Sequence, residues 1–250
     1  MKSSTKVFSR FWILALAVCL AGCPTTEGLQ QSYDASGASA VAPSFVCGAE
    51  GRREQFMTEA AKLQVSKADA AKLYAISGAE SMDVVTGFAP ARDRSPTVER
   101  ALESVAMNPE LKAFYVEVDI QNLGGLNAKL GHSGADVIFG EMTAITERHI
   151  QKLKPDSCSF RHGGDEFSFV VIGPTASQEA IEATLQEADD EIRKYIASQG
   201  LSEIPHPKHL DDPSKSGAGI IFGVSPISGQ KAAKDVYGVA DKIVESRKSQ

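Results

Sequence analysis

Three things are scarce in this chain, and each scarcity excludes something. There is no surplus of positive charge: 26 Lys and Arg stand against 32 Asp and Glu, a net charge of −6. The first 22 residues contribute Lys2, Lys6 and Arg10 and no acid, so without them the balance falls to −9. So acidic a chain has no general field for nucleic-acid backbones, and any phosphate ligand has to be held locally, for instance through a metal. There is no long apolar run either. The apolar stretch from Phe11 to Ala21 is about half the roughly 20 residues that a membrane-spanning helix needs. Cysteine is sparse, with only Cys19, Cys23, Cys47 and Cys158. At 250 residues, 42% of them hydrophobic, the chain still has enough material for one well-buried domain plus a leader, or for two small domains.

The N-terminus combines the basic residues, the short apolar run and the small-residue stretch Leu20-Ala21-Gly22-Cys23. That order describes an export signal. The last four residues resemble the bacterial lipobox, which implies diacylation of Cys23 and a lipid anchor on the periplasmic side of the cell envelope. Residues 1–22 are therefore expected to be a lipoprotein signal peptide. Residues 23–48 read as a flexible tether, being rich in Thr, Ser, Gln, Gly and Ala with almost no large apolar side chain. An exported chain keeps Cys47 and Cys158, and an oxidising compartment favours a disulfide between them over two buried thiols.

Helical periodicity is present at about 50–63 and 66–77, the second with Ser66 as its cap, so 49–80 reads as a helical lead-in. From there, 81–250 alternates strands and helices. A strand is expected at Lys112–Ile120, ending on Asp119, and then a Gly-rich short helix to Leu130 and a longer one to Leu153. Next is a hairpin with arms near 157–161 and 166–172. A helix near 177–199, a Pro-rich insert, a strand at 218–224 and a closing helix at 230–248 complete the order. The β-α-β-β-α-β sequence implies a sheet covered by helices, an α+β arrangement.

Acids cluster where the strand and hairpin end. Asp119 terminates one strand, and Asp165 and Glu166 lie in the turn beside it next to Gly163 and Gly164. Clustered carboxylates repel unless a cation sits among them, and hard oxygen ligands suit Mg²⁺ carrying a nucleoside triphosphate. Glycines let a phosphate chain approach the backbone. The insert around His206 and His209 reads as exposed loop rather than a metal site.

The string Gly163-Gly164-Asp165-Glu166-Phe167 makes the chain resemble the GGDEF family of diguanylate cyclases. Three further signatures fall in the family's order. Asp83 to Arg92 resembles D-x-L-T-G-L-x-N-R-R. Asp119 to Asp136 resembles D-x-D-x-F-K-x-x-N-D-x-x-G-H-x-x-G-D, and keeps Asn127, Gly131 and His132. Ala240-Asp241 with Lys248 resembles the closing A-D-x-A-L-Y-x-x-K. The resemblance implies a palm-like nucleotide-cyclase fold with a mostly antiparallel central sheet flanked by helices. It implies Asp165 and Glu166 as catalytic residues, with Asp119, Ile120, Asp165 and Glu166 as the metal set for Mg. It implies Asn127, Asp136, Gly163, Gly164 and Lys248 as contacts to GTP, Asn127 and Asp136 reading the guanine edge. Two domains closing face to face as a homodimer would condense two GTP into cyclic di-GMP.

Departures thin the phosphate cations. Gln121 replaces an acid, Leu123 a Phe, Gly124 a Lys, Ala128 an acid and Glu245 a Tyr, and Gln250 falls before an Arg one turn beyond the closing Lys. Lys154-Pro155-Asp156-Ser157 stands where the family's inhibitory R-x-x-D motif lies, so product inhibition is not expected. Export also separates the domain from cytosolic GTP, unless translation starts later, for example at Met57. An alternative is therefore a catalytically silent envelope lipoprotein that binds a nucleotide-like ligand or a protein.

Overall fold

The structure is a computed structural model that describes Cys47, parts of 56–74, and 82–248 except 154–155, 209, 211 and 213–215. The signal, Cys23 and most of the tether lie outside the described residues. The chain divides into two compact units, residues 1–41 with 52–80 and residues 42–51 with 81–250. In the first unit, residues 56–58, 60–62, 69–70 and 73–74 are helical. Ser66 accepts a bond from the Asp69 amide at 3.1 Å, the expected cap, and the rings of Phe56 and Tyr74 lie 5.4 Å apart.

The second unit is built on one sheet of five strands. β1 is Ala89–Pro90, and a single 3₁₀ turn leads from it into helix α1, Arg94–Met107. β2, Lys112–Gln121, is followed by α2, Leu123–Lys152. β3, Asp156–Gly163, and β4, Glu166–Gly173, form the hairpin. Then come α3, Gln178–Ser198, β5, Gly219–Pro226, and α4, Ala233–Lys248. The strand order is β1-β3-β4-β2-β5, antiparallel throughout except for the β1–β3 pair. This is the α+β, mostly antiparallel sheet flanked by helices that the resemblance implied.

β2 lies between β4 and β5 and is buried on both faces, and its alternation assigns each side chain a layer. Phe114, Val116, Val118 and Ile120 pack with Ile138, Met142, Leu185 and Ile192 from α2 and α3. Ala113 and Tyr115 pack with Val98, Ala101, Val236 and Ala240 from α1 and α4. Glu117 and Asp119 share that second face, so two carboxylates continue an otherwise apolar row.

The sequence pattern missed β1 and α1. A two-residue strand has no period to detect. α1 carries Pro96 in its first turn, where free N–H groups make proline tolerable, and buries only Thr97, Val98 and Ala101. The expected short and long helices on either side of Leu130 form one element, broken at Gly131, where φ is 70° and ψ 169°. Cys47 and Cys158 are joined in a disulfide, 111 residues apart in sequence and within this unit.

Candidate active site

Asp119 and Glu166 are direct partners in the β2–β4 register. The Ile120 N–H donates to the Asp165 carbonyl at 3.0 Å, docking the hairpin turn on the end of β2. Strand pairing thus brings together Asp119, buried at 7% exposure, half-buried Asp165 and exposed Glu166. Burial pushes the Asp119 carboxyl above its ordinary range; the Lys248 ammonium opposes this, and repulsion from Asp165 and Glu166 adds to it. Lys248 Nζ lies 2.8 Å from Asp119 Oδ2 and 3.1 Å from Glu245 Oε1. Burial works against its charge, but those two bonds hold its pKa above the usual lysine value.

The turn is gripped from both faces of the hairpin. On one face Arg161 donates to Asp83 at 3.0 and 3.1 Å and to the Gly164 carbonyl at 3.1 Å, with its guanidinium 4.4 Å from the Phe139 ring centre. Asp83 also accepts from the Val85 and Thr86 amides and the Thr86 hydroxyl. Burial raises its pKa, but those bonds and Arg161 outweigh burial and keep it below the ordinary carboxylate value. On the other face His162 meets Arg94 Nη1 at 2.6 Å and Ser168 Oγ at 2.6 Å. Gly163 and Gly164 are exposed, and a Cβ on either would meet nothing within 4 Å, so the turn is open to an approaching ligand.

Beneath the turn lies a cavity of about 410 Å³. Five carboxylates line it, Glu117, Asp119, Glu166, Asp241 and Glu245, with Arg94, His162 and Lys248. Burial pushes Glu117 up to about 8, against a hydrogen bond donated by Tyr115 Oη and the attraction of Arg94. Burial and then the Arg94 charge push His162 down to about 3, so its imidazole is neutral.

The remaining expected contacts lie elsewhere. Half-buried Asn127 and exposed Asp136 sit on either side of the Gly131 break in α2. His132 is exposed there. Gln121 is bonded to Arg193 at 2.9 Å. Gly124 lies under Pro207, whose Cγ would be 3.1 Å from a Cβ at that position. His206 Nδ1 accepts from the Lys208 amide, and His209 lies outside the described residues.

The donor set at Asp119, Asp165 and Glu166 has the chemistry a hard divalent cation takes, and repulsion from Asp165 and Glu166 adds a smaller part to the burial that raises the Asp119 pKa. Among the described residues no three His, Cys, Asp or Glu side chains converge on one point, and Lys248 supplies the positive charge at Asp119. Sequence reasoning gave no role to Arg94, Glu117 or His162. The one available signal was that Glu117 stands two residues before Asp119 on an alternating strand, and so on the same face.

Residues 80–250 match the family model described as "Diguanylate cyclase, GGDEF domain", and the chain belongs to that family. No curated protein matches the chain in sequence. Among solved structures it is similar to the coiled coil and GGDEF domain of DgcB from Caulobacter crescentus in complex with c-di-GMP, at 18% identity and TM-score 0.55 over 80% of this chain and 94% of that one. It is similar to the diguanylate cyclase SiaD of Pseudomonas aeruginosa in complex with its activator SiaC, at 16% identity and TM-score 0.53 over 98% and 76% of the two chains. The FimX GGDEF domain of the same species matches at 18% identity and TM-score 0.51, over 67% and 94%. At these identities the likeness is one of fold.

Proposed function

We propose that this chain is a diguanylate cyclase that condenses two GTP into cyclic di-GMP and pyrophosphate between two facing copies of the domain. The observation that carries the reading is the register of Asp119 opposite Glu166, with Asp165 docked beside them on the Ile120 amide. Asp119, Asp165 and Glu166 would hold Mg²⁺, with Ile120 beside them, and the ion would supply charge stabilisation at the phosphates. Asn127 and Asp136 orient guanine, the open Gly163–Gly164 turn admits the phosphates, and Lys248 turns from Asp119 to phosphate. In each half-reaction a 3′-oxygen forms a bond to the other nucleotide's α-phosphorus as pyrophosphate leaves, so catalysis is mainly positioning.

The address is part of the proposal. Lipidation at Cys23 would anchor the domain to the periplasmic side of a membrane, and the Cys47–Cys158 bond suits an oxidising compartment. Among the described residues no helix is long and apolar enough to cross a membrane.

A second reading, a silent envelope module, is favoured by the charges of the cavity. Arg94 is engaged with Glu117 and His162, Lys248 with Asp119 and Glu245, and five carboxylates face any incoming triphosphate. Incubation with GTP and Mg²⁺ separates the readings. The cyclase forms the dinucleotide, and Asn127→Ala weakens GTP relative to ATP because it removes a guanine contact and leaves the metal residues intact. A dimer that binds GTP with Mg²⁺ and yields no dinucleotide over hours overturns the enzyme reading.

A further inference from the structure

We propose that His162, braced by Arg94, is a positioning residue that aims the Gly163–Glu166 turn at the end of β2. Its catalytic consequence rests on the cyclase reading; the docking of the turn does not.

The register places His162 at a special point. Arg161 pairs with Phe167 and Gly163 with Glu166, so two steps on β3 match one step on β4 and His162 is the extra residue of a β-bulge. A bulge bends its strand and re-aims the residues beyond it, here the turn that carries Asp165 and Glu166. An extra residue can settle in more than one way unless its side chain is fixed, and this one is fixed at both ring nitrogens. Nδ1 lies 2.6 Å from Arg94 Nη1 and 3.3 Å from Glu117 Oε1; because Arg94 can only donate, the neutral ring that fits accepts at Nδ1 and donates from Nε2 to Ser168 Oγ at 2.6 Å. Ser168 is fully buried on the opposite arm. One imidazole therefore ties the first residue of α1 to both arms of the hairpin.

Arg94 is itself held. Its guanidinium lies 4.3 Å from the ring centre of Tyr237, donates to Tyr115 Oη at 3.2 Å and sits 3.9 Å from Glu117. The ring of His162 cannot turn without breaking bonds at both ends. An apolar residue at 162 would fill the same volume and leave the bulge unpinned.

The Ile120 amide reports on this directly, because its acceptor is the Asp165 carbonyl of the turn. In the full-length protein, hydrogen exchange at Ile120 is expected to speed up tenfold or more in His162→Phe and in Arg94→Met, while Val116 in the middle of β2 exchanges as in wild type. His162→Asn, whose amide oxygen can accept from Arg94, should recover part of the protection. With GTP and Mg²⁺, the first two variants should lose tenfold or more in kcat per folded enzyme with KM within twofold; partial unfolding alone also lowers apparent kcat at unchanged KM, and wild-type exchange at Val116 excludes it. If His162→Phe does not fold, Arg94→Met carries the test, since it leaves the imidazole and the bulge in place. Unchanged exchange at Ile120, or equal acceleration at Ile120 and Val116, overturns the proposal. A wild type without turnover overturns the cyclase reading instead, and the exchange comparison still decides the role of His162.

Discussion

His162 is a neutral imidazole inside a charged cluster, and that has a consequence for stability. Burial and the Arg94 charge depress its folded pKa from 6.5 to about 3, so between those values the unfolded chain binds a proton that the folded chain refuses. Its contribution is present above about pH 6.5 and is lost as pH falls towards 3, with a slope of up to ~1.4 kcal/mol per pH unit. Urea midpoints measured from pH 7 to pH 4 should therefore fall more steeply for wild type than for His162→Phe; parallel slopes would contradict this. At this scale the sequence was legible only in part. Asp165, Glu166 and the two glycines stand in one contiguous string, and Asp119 ends a recognisable strand. Arg94, Glu117 and His162 are 23 and 45 positions apart and each reads alone as a solvated polar side chain. Only the alternation of β2 and the bulge of β3 bring them together.

Between residue and fold, two backbone positions carry much of the local design. Asn122 has φ 61°, accepts from the Gly125 amide at the start of α2, and donates to the carbonyls of Ile204 and Gly217 at 3.1 and 2.8 Å. One side chain caps a helix and closes the neck of the insert. Asn122→Ala removes the cap and puts alanine in the left-handed region, so a loss of about 2–3 kcal/mol is expected in denaturant titration. Faster proteolytic cleavage between residues 204 and 217 should accompany it. At Gly131 a Cβ meets nothing within 4 Å, so the cost of Gly131→Ala is the backbone alone, about 1–3 kcal/mol for a conformation nearly confined to glycine. A thermal melt matching wild type would show that the break in α2 can be absorbed. The long helices were readable in the sequence because burial on one face leaves a period, and β2 and β4, buried on both faces, stood out as short, mostly apolar runs. β1, two residues long, and α1, with three small buried residues, left none.

For the molecule as a whole, the disulfide and the proposed address belong together. Cys47→Ser should lower stability by on the order of 4 kcal/mol in the chain-entropy account of a loop of this length, read as a fall in Tm, with reduced wild type matching the variant. Palmitate labelling in cells should depend on Cys23 and vanish in Cys23→Ser; unlabelled wild type recovered from the cytosol would sink the export proposal. The fold places Asp119, Asp165, Glu166 and the open Gly163–Gly164 turn at one end of β2, and the same end carries an acidic cavity whose cations are already engaged. Turnover decides between those two descriptions. Purified full-length protein, incubated with GTP and Mg²⁺ beside Asp165→Ala and followed by chromatography of the nucleotides, tests the central claim most directly. Cyclic di-GMP accumulating with wild type and reduced by orders of magnitude in Asp165→Ala is the expected result, and wild type indistinguishable from Asp165→Ala would contradict it.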